Sequence, residues 1–319
     1  MKGYIYIDKM FASNRKLIEE LLSSDCFRES GYGIRMNISK QELQDKWICL
    51  GYDFDEEDPV MVFASVLNSL GYSPQDVSFD GDVDYNNVKK IKANEDAKLK
   101  SIFCLPDHVK TDIDKKYGVG VVKSTDKSML KLLPNIPIAY DEVVSWDSIL
   151  PKDYWNSIIV ADCYILRDKK TIETNLVPIL DKGYCSTSCN VQMHITIFTQ
   201  FFKDGNPTMW KGAYDFLKSK YEKANIEIID VKNANKEIHD REILTNNYYI
   251  HILGGTDVID SYGRANRRTT IIPYRYPQFL DNAKADYDMF CKSIKRYREE
   301  YLAIKCDDKK TFKNRLIYS

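Results

Sequence analysis

Between residues 156 and 232 the sequence alternates apolar runs with amphipathic stretches, and this alternation constrains the fold more than any other feature. "NSIIVADCYIL" reads as an apolar strand interrupted by Asp162, "TIETNLVPILDKG" as a helix stopped by Gly183, and "VQMHITIFTQFF" as a second strand. "PTMWKGAYDFLKSKYEKAN" follows as an amphipathic helix with Met209, Ala213, Phe216, Leu217 and Ala224 inward, and "IEIIDVK" as a third strand. Strands that alternate with helices give an α/β architecture. The chain then enters "EIHDREILTNNYYIHILGGTD", residues 237–257, where two β-rich arms flank Asn246 and Asn247. Asparagine tolerates positive φ, so a two-residue primed turn is predicted there. In that register Thr245 faces Tyr248, Ile243 faces Ile250, Arg241 faces Ile252 and His239 faces Gly254. His239 and Arg241 share one face of the ribbon, and Glu242 meets His251 on the other as a cross-strand pair with no catalytic role.

The first 140 residues give a second mixed α/β unit. "GYIYID" alternates as a strand, "SNRKLIEELLSS" reads as a helix, and "DKWICLGYDF" as another strand. "DPVMVFASVLNSLGY" has an Asp cap, Pro59 in its first turn and Gly71 as terminator. "SIFCLP", "DHVKTDIDKKY" and "GVGVV" suggest strand, helix and strand in a parallel crossover. Residues 79–100 are polar and charged, a loop or ragged hairpin. Pro134, Pro137 and Pro151 mark a junction, which divides the chain into residues 1–145 and 146–319. At the far end Ala283, Tyr287, Phe290, Ile294, Tyr297, Tyr301 and Ile304 alternate spacings of four and three along a long helix. Docking on the chain's own sheet is the expected use of that seam, with a dimer helix pair as the alternative.

Composition bounds the setting. The eight cysteines are scattered through a chain long enough for an ordinary core, which favours reduced thiols over a disulfide framework. No signal peptide and no membrane span are expected, so the expected location is cytoplasmic. Residues 51–100 carry eleven acidic against five basic side chains, and residues 261–319 carry fourteen basic against seven acidic. The basic end suits an anionic partner. Cys185, Cys189 and His194 have the residue types of a zinc site without the spacing of the common modules.

The hairpin carries the most specific chemistry. Arg241 offers a forked donor for phosphate oxygens, Gly254 and Gly255 permit close backbone approach, and His239 is a candidate nucleophile or acid/base. His239-x-Arg241 with Asn246, followed by Gly254, Gly255, Thr256 and Asp257, resembles the signature of the phospholipase D superfamily. It is similar to a His-Asp-Arg branch that includes the C-terminal domain of MIT-domain proteins. The resemblance covers about residues 150–305, with arginine where the family has lysine and the glycine pair about one residue late. It implies a phospholipase-D-like α/β sandwich half with a long C-terminal helix. It also implies a metal-independent phosphodiesterase or nuclease that needs no cofactor. His239 would be the nucleophile, Arg241 the phosphate clamp, and Gly254, Gly255, Thr256 and Asp257 the phosphate-binding end. Family enzymes use two such motifs, so a homodimer is implied unless His108-x-Lys110 supplies the second. Arg264, Arg267 and Arg268, directly after the motif, could track a nucleic-acid backbone.

Two alternatives stand beside this reading. The same fold could be an inactive binding module for nucleic acid, phospholipid headgroups or a protein partner. A metal-dependent nuclease could instead sit in the N-terminal half, built on Asp82 or Asp84 with Asp96-x-Lys98.

Overall fold

A computed structural model of the 319-residue chain describes residues 4–14, 16–18, 20, 33–49, 77–81, 83–85, 101–108, 120–123, 125, 133–150, 155, 157–183, 193–203, 205–232, 238, 241–246, 248–254, 258–275, 281–301, 303–307, 314, 316 and 317. The chain is an α/β protein, and its described residues form two principal sheets. The first is built from β1 (Tyr4–Ile7), β2 (Gly33–Met36), β3 (Val77–Phe79), β4 (Ser101–Cys104) and β5 (Gly120–Val122), in the order β3-β2-β1-β4-β5. Every neighbouring pair runs parallel, as the crossover pattern at β4 and β5 predicts.

Several elements of this unit differ from the sequence reading. Strands β2 and β3 were not foreseen, nor was a short helix at Lys9–Ala12. Residues 45–49, expected as part of a strand, belong to helix α2 (Lys40–Cys49). Local side chains decide it. Ser39 Oγ accepts the Glu42 N–H at 3.1 Å, Glu42 pairs with Lys46 one turn on, and Gln41 hydrogen-bonds Asp45. The short helix α1 (Lys9–Ala12) is capped by Asp8, and Asn14 caps the helical residues 16–18. The helix expected over residues 58–72 lies outside the described residues, as does most of the one beginning at Asp107.

Among the described residues the second sheet has eight strands. They are β6 (Ile136–Ile138), β7 (Ser157–Ala161), β8 (His194–Thr199), β11 (Asn225–Asp230), β12 (Arg241–Thr245), β13 (Tyr248–Leu253), β14 (Thr269–Arg275) and β15 (Ala303–Cys306). Their order is β15-β11-β8-β7-β12-β13-β14-β6. β7, β8 and β11 are parallel, and β12 turns the sheet antiparallel from there to β6. The proline-rich junction therefore contributes β6 to this sheet, followed by helix α3 (Trp146–Ile149) with Ser145 and Ser148 in a capping box.

The crossover from β7 to β8 is helix α4, residues 169–183. It is α-helical at Lys169–Thr171 and Val177–Gly183, with a π turn at Ile172–Leu176. Pro178 has no N–H to return to the preceding turn, and the helix widens just ahead of it. The helix ends at Gly183, as expected. The Gly183 φ is not positive, and the reason for glycine is space, because a methyl there would overlap the Trp155 indole. Helix α5 (Ala213–Lys220) is shorter than the predicted span. Asn206–Pro207 (β10) pairs instead with Phe202–Lys203 (β9) in a small hairpin.

Alternation along the strands sends side chains to two covered faces. Ile158, Val160, Ile195, Ile197, Ile226, Ile228 and Ile243 pack with Ile172, Leu176 and Ile179 of α4 and Ala213 and Leu217 of α5. Ile159, Ala161, Phe198, Ile229, Leu244 and Tyr249 face helix α6 (Asp281–Glu300), whose Tyr287, Phe290, Ile294 and Tyr297 form the predicted seam. That seam docks on the chain's own sheet. Its last expected member, Ile304, belongs to β15. The same buried cluster continues through Ile5, Ile7, Ile34 and Met36 of the first sheet and through Leu316 and Ile317.

One polar pair is locked under α6. Glu227 of β11 is fully buried, and Arg298 Nη2 approaches its carboxylate at 2.9 Å. Burial pushes the Glu227 carboxyl up to about 7, against the opposing pull of Arg298. A carboxyl raised in the folded state holds its proton there after the unfolded chain has lost it, so stability falls as pH rises between about 4.5 and 7. Thermal melts across that window are expected to lose up to about 3 kcal/mol, and Glu227→Gln is expected to flatten the slope.

Candidate functional site

The directions of the strands gather one set of loops at one end of the second sheet. The carboxyl ends of β7, β8, β11 and β13 lie there, as do the amino ends of β12 and β14. Loops at the carboxyl ends of parallel strands are where open α/β sheets offer a crevice.

Asp162 stands at the end of β7 and is 2% exposed. Its N–H bonds the Phe198 carbonyl, which carries the ladder to this residue. Its Oδ1 accepts the Tyr164 N–H at 2.6 Å, which turns the chain out of the sheet. Its Oδ2 meets Arg241 Nε at 3.9 Å, an ion pair rather than a direct hydrogen bond. Arg241 opens β12, and its side chain, 21% exposed, lies beside this buried carboxylate.

Beneath this pair, Thr199 Oγ1 donates to the Cys163 carbonyl at 3.1 Å, and the Cys163 thiol lies 3.6 Å from the Ile238 carbonyl. Burial and the Asp162 charge push that thiol up to about 11, with Arg241 and Lys203 pulling the other way. A thiol so far up is not a nucleophile at neutral pH. Lys203 donates to the Tyr164 hydroxyl at 3.0 Å, so a second cation stands at this end of the sheet. The sequence reading missed it, because Lys203 carries no motif.

The hairpin has the predicted register. Arg241 pairs Ile252, Glu242 pairs His251, Ile243 pairs Ile250 and Leu244 pairs Tyr249. The turn differs. Asn246 does not adopt the positive φ that a primed turn needs at its first position. Side chains close it instead. Thr245 Oγ1 accepts the Tyr248 N–H at 2.9 Å, and buried Asn246 accepts the Ser157 N–H at 2.9 Å. Asn246 is thus at the opposite end of the ribbon from Arg241, tying the start of β7. Glu242 and His251 share the α6 face as expected, and Glu242 also accepts the Tyr249 hydroxyl. With Asp286 and Ser293 they line a cavity of about 240 Å³ between sheet and helix. Burial and the two carboxylates push the Tyr249 hydroxyl up, so it stays protonated as the donor.

Of the other candidate residues, Gly254 ends the ribbon with φ +103°. Its carbonyl accepts Arg267 Nη1 at 2.6 Å. Arg264 pairs Asp141 at 2.8 Å on the surface, and Arg268 is exposed just before β14. Arg241, Gly254, Arg264, Arg267 and Arg268 therefore occupy the same end of the sheet. His239, Gly255, Thr256 and Asp257 lie outside the described residues, as do Cys185, Cys189, Lys110, Asp82, Asp96 and Lys98. Among the described residues no three His, Cys, Asp or Glu side chains converge in a metal-binding group. In the first unit, His108 and Asp84 are exposed. Asp8, nearly buried, accepts the Met10 N–H and the Asn37 carboxamide, and Asp80 accepts the Tyr85 hydroxyl. These two carboxylates have structural work in the turns they close. Among the described residues no helix is long and apolar enough to cross a membrane.

No protein-family model matches the chain, and no curated protein matches its sequence.

The Gly254 backbone is outside the range that residues with a Cβ adopt readily. Gly254→Ala is expected to cost about 1–2 kcal/mol in chemical denaturation, although a methyl would meet nothing closer than Arg267 Cδ at 3.6 Å.

Proposed function

We propose that the carboxyl end of the second sheet handles phosphodiesters, and that the chain is a nuclease-like phosphodiesterase working through His239 without a metal. The observation that supports this reading best is the seat of Arg241. A forked cation opens β12 beside the end of a parallel strand, anchored by a buried carboxylate, two residues after His239 in the sequence. In the proposed reaction Arg241 holds the non-bridging oxygens. The His239 imidazole attacks phosphorus, forming a P–N bond as the bond to the leaving oxygen breaks. That oxygen takes a proton from an acid, the partner's His239 in a homodimer. Water then cleaves the P–N bond, releases the phosphate monoester and restores the histidine.

A second reading keeps the site and drops the turnover, leaving a binding module for nucleic acid, phospholipid headgroups or a protein partner. Arginine in place of the family's lysine favours it, since a planar guanidinium paired with Asp162 restricts in-line geometry.

The test is hydrolysis of bis(p-nitrophenyl) phosphate and of labelled oligonucleotides in EDTA. Wild-type turnover is expected to persist in the chelator, to fall by at least about 10²-fold in His239→Ala, and to fall by about 10²-fold in Arg241→Ala. Sedimentation is expected to show a dimer. A metal-free preparation that binds oligonucleotides without turning over any phosphodiester would establish the second reading. Magnesium-dependent cleavage that survives His239→Ala would move the chemistry to another part of the chain.

A further inference from the structure

The loop after β6 and the connection from β13 to β14 form a backbone ladder at the same end of the sheet. Asp141 N–H bonds the Ala265 carbonyl at 2.8 Å, Ala265 N–H bonds Glu142 at 2.8 Å, and Val144 N–H bonds Gly263 at 2.9 Å. Val143 and Arg264 pair between them as an antiparallel bridge. The ladder is anchored from below. Asn175 of α4 receives the Ile259 N–H and donates to its carbonyl, both at 3.0 Å, and Val258, Ile259 and Ala265 are part of the buried core. Asp260 Oδ1 accepts the N–H groups of Tyr262 and Arg264 and fixes the turn between them.

This rigid framework displays apolar surface. Tyr262 is 84% exposed, Val143 75% and Tyr140 73%. Tyr140 precedes the ladder on one arm, and Tyr262 lies beyond its other end. Arg264, whose guanidinium pairs with Asp141, belongs to the ladder that separates them. A fixed loop that holds two rings in water has not used them for folding, since burying either would stabilise the chain by roughly 2 kcal/mol. The strip is also continuous with the candidate phosphate site, because Arg267 reaches from this loop to the Gly254 carbonyl. The carboxylates here are committed locally: Asp141 to Arg264, Glu142 to the Ala139 N–H, Asp260 to its turn.

We propose that Tyr140 and Tyr262, with Arg264, Arg267 and Arg268, form a stacking platform for single-stranded nucleic acid that leads a strand toward Arg241. This rests on the phosphodiester reading of the sheet end and names the substrate class it takes. Aromatic rings separated by guanidinium groups accept bases of any sequence on their faces, with phosphates tracked between them. Base faces are available in a single strand and hidden in a duplex, so the platform selects the former.

The experiment is fluorescence anisotropy of the full chain with a labelled single strand of about 12 nucleotides and with a duplex of equal length. The single strand is expected to bind more tightly. Tyr140→Ala and Tyr262→Ala are each expected to weaken it by about 5- to 100-fold, with Tyr→Phe retaining wild-type affinity. The salt dependence is expected to be unchanged in the tyrosine variants and shallower in Arg268→Ala. Equal affinity for duplex and single strand, or wild-type affinity in both Tyr→Ala variants with unaltered melting, would overturn the proposal. A dimer abolished by Tyr262→Ala, with no oligonucleotide affinity, would assign the rings to self-association and overturn it as well. Wild-type turnover of bis(p-nitrophenyl) phosphate in EDTA reports on the phosphodiesterase reading alone. Tyrosine-dependent binding without that turnover removes the reaction and keeps the platform, and the converse result removes the platform and keeps the reaction.

Discussion

A sheet covered on both faces has only its ends for chemistry. All five residues of β7 are buried, with Ile158 and Val160 under α4 and α5 and with Ile159 and Ala161 under α6. An unpaired polar group in that sandwich would cost several kcal/mol, on the order of 2–7 for an amide or hydroxyl. Several of its polar groups have identified partners. Thr196 and the Ile158 carbonyl receive the Asn314 carboxamide, and Glu227 has Arg298. Asp162, the first carboxylate after β7, comes where the strand reaches the edge and the chain can turn. The seat of Arg241 follows from that constraint.

The hairpin translates the same constraint into two environments. Arg241 and Glu242 are successive residues, so the pleat sends one toward the α4 side and the other toward α6. Arg241 meets Asp162 at the edge, whereas Glu242 joins Tyr249, His251 and Asp286 around a cavity. A slip of one residue would exchange them, carrying Arg241 under α6 and moving Ile243 and Ile250 to the opposite covered face. The apolar pattern of the two arms therefore fixes where the charges lie.

That logic explains what was legible beforehand. The register of β12 and β13 could be read because alternation and core burial agree on it. The α6 seam could be read because Tyr287, Phe290, Ile294 and Tyr297 repeat at helical spacing over a single buried surface. Residues 45–49 were misread, since Trp47, Ile48 and Cys49 look like strand while the deciding groups, Ser39 and the Glu42–Lys46 pair, lie upstream and are polar. Asn246 was assigned to a turn by its conformational habits, when its carboxamide serves the start of a strand far away in sequence. Lys203 and Tyr140 were invisible as site residues for a similar reason. Each acquires its position from a loop that meets another loop only in the folded chain.

On the proposed reading, affinity and orientation would divide between the two parts. Exposed charges more than about 8 Å apart are largely screened at physiological salt, and Arg264 already shares its charge with Asp141. Arginines on this surface would therefore orient a strand more than they would hold it. Stacking on exposed rings is far less sensitive to salt, and it is tolerant of sequence because every base has a face. A backbone ladder that fixes Tyr140 and Tyr262 in advance avoids the entropy of ordering a flexible loop on binding. Affinity would then come from the rings, and a strand held there would present its phosphates to Arg241 without Arg241 having to capture it from solution.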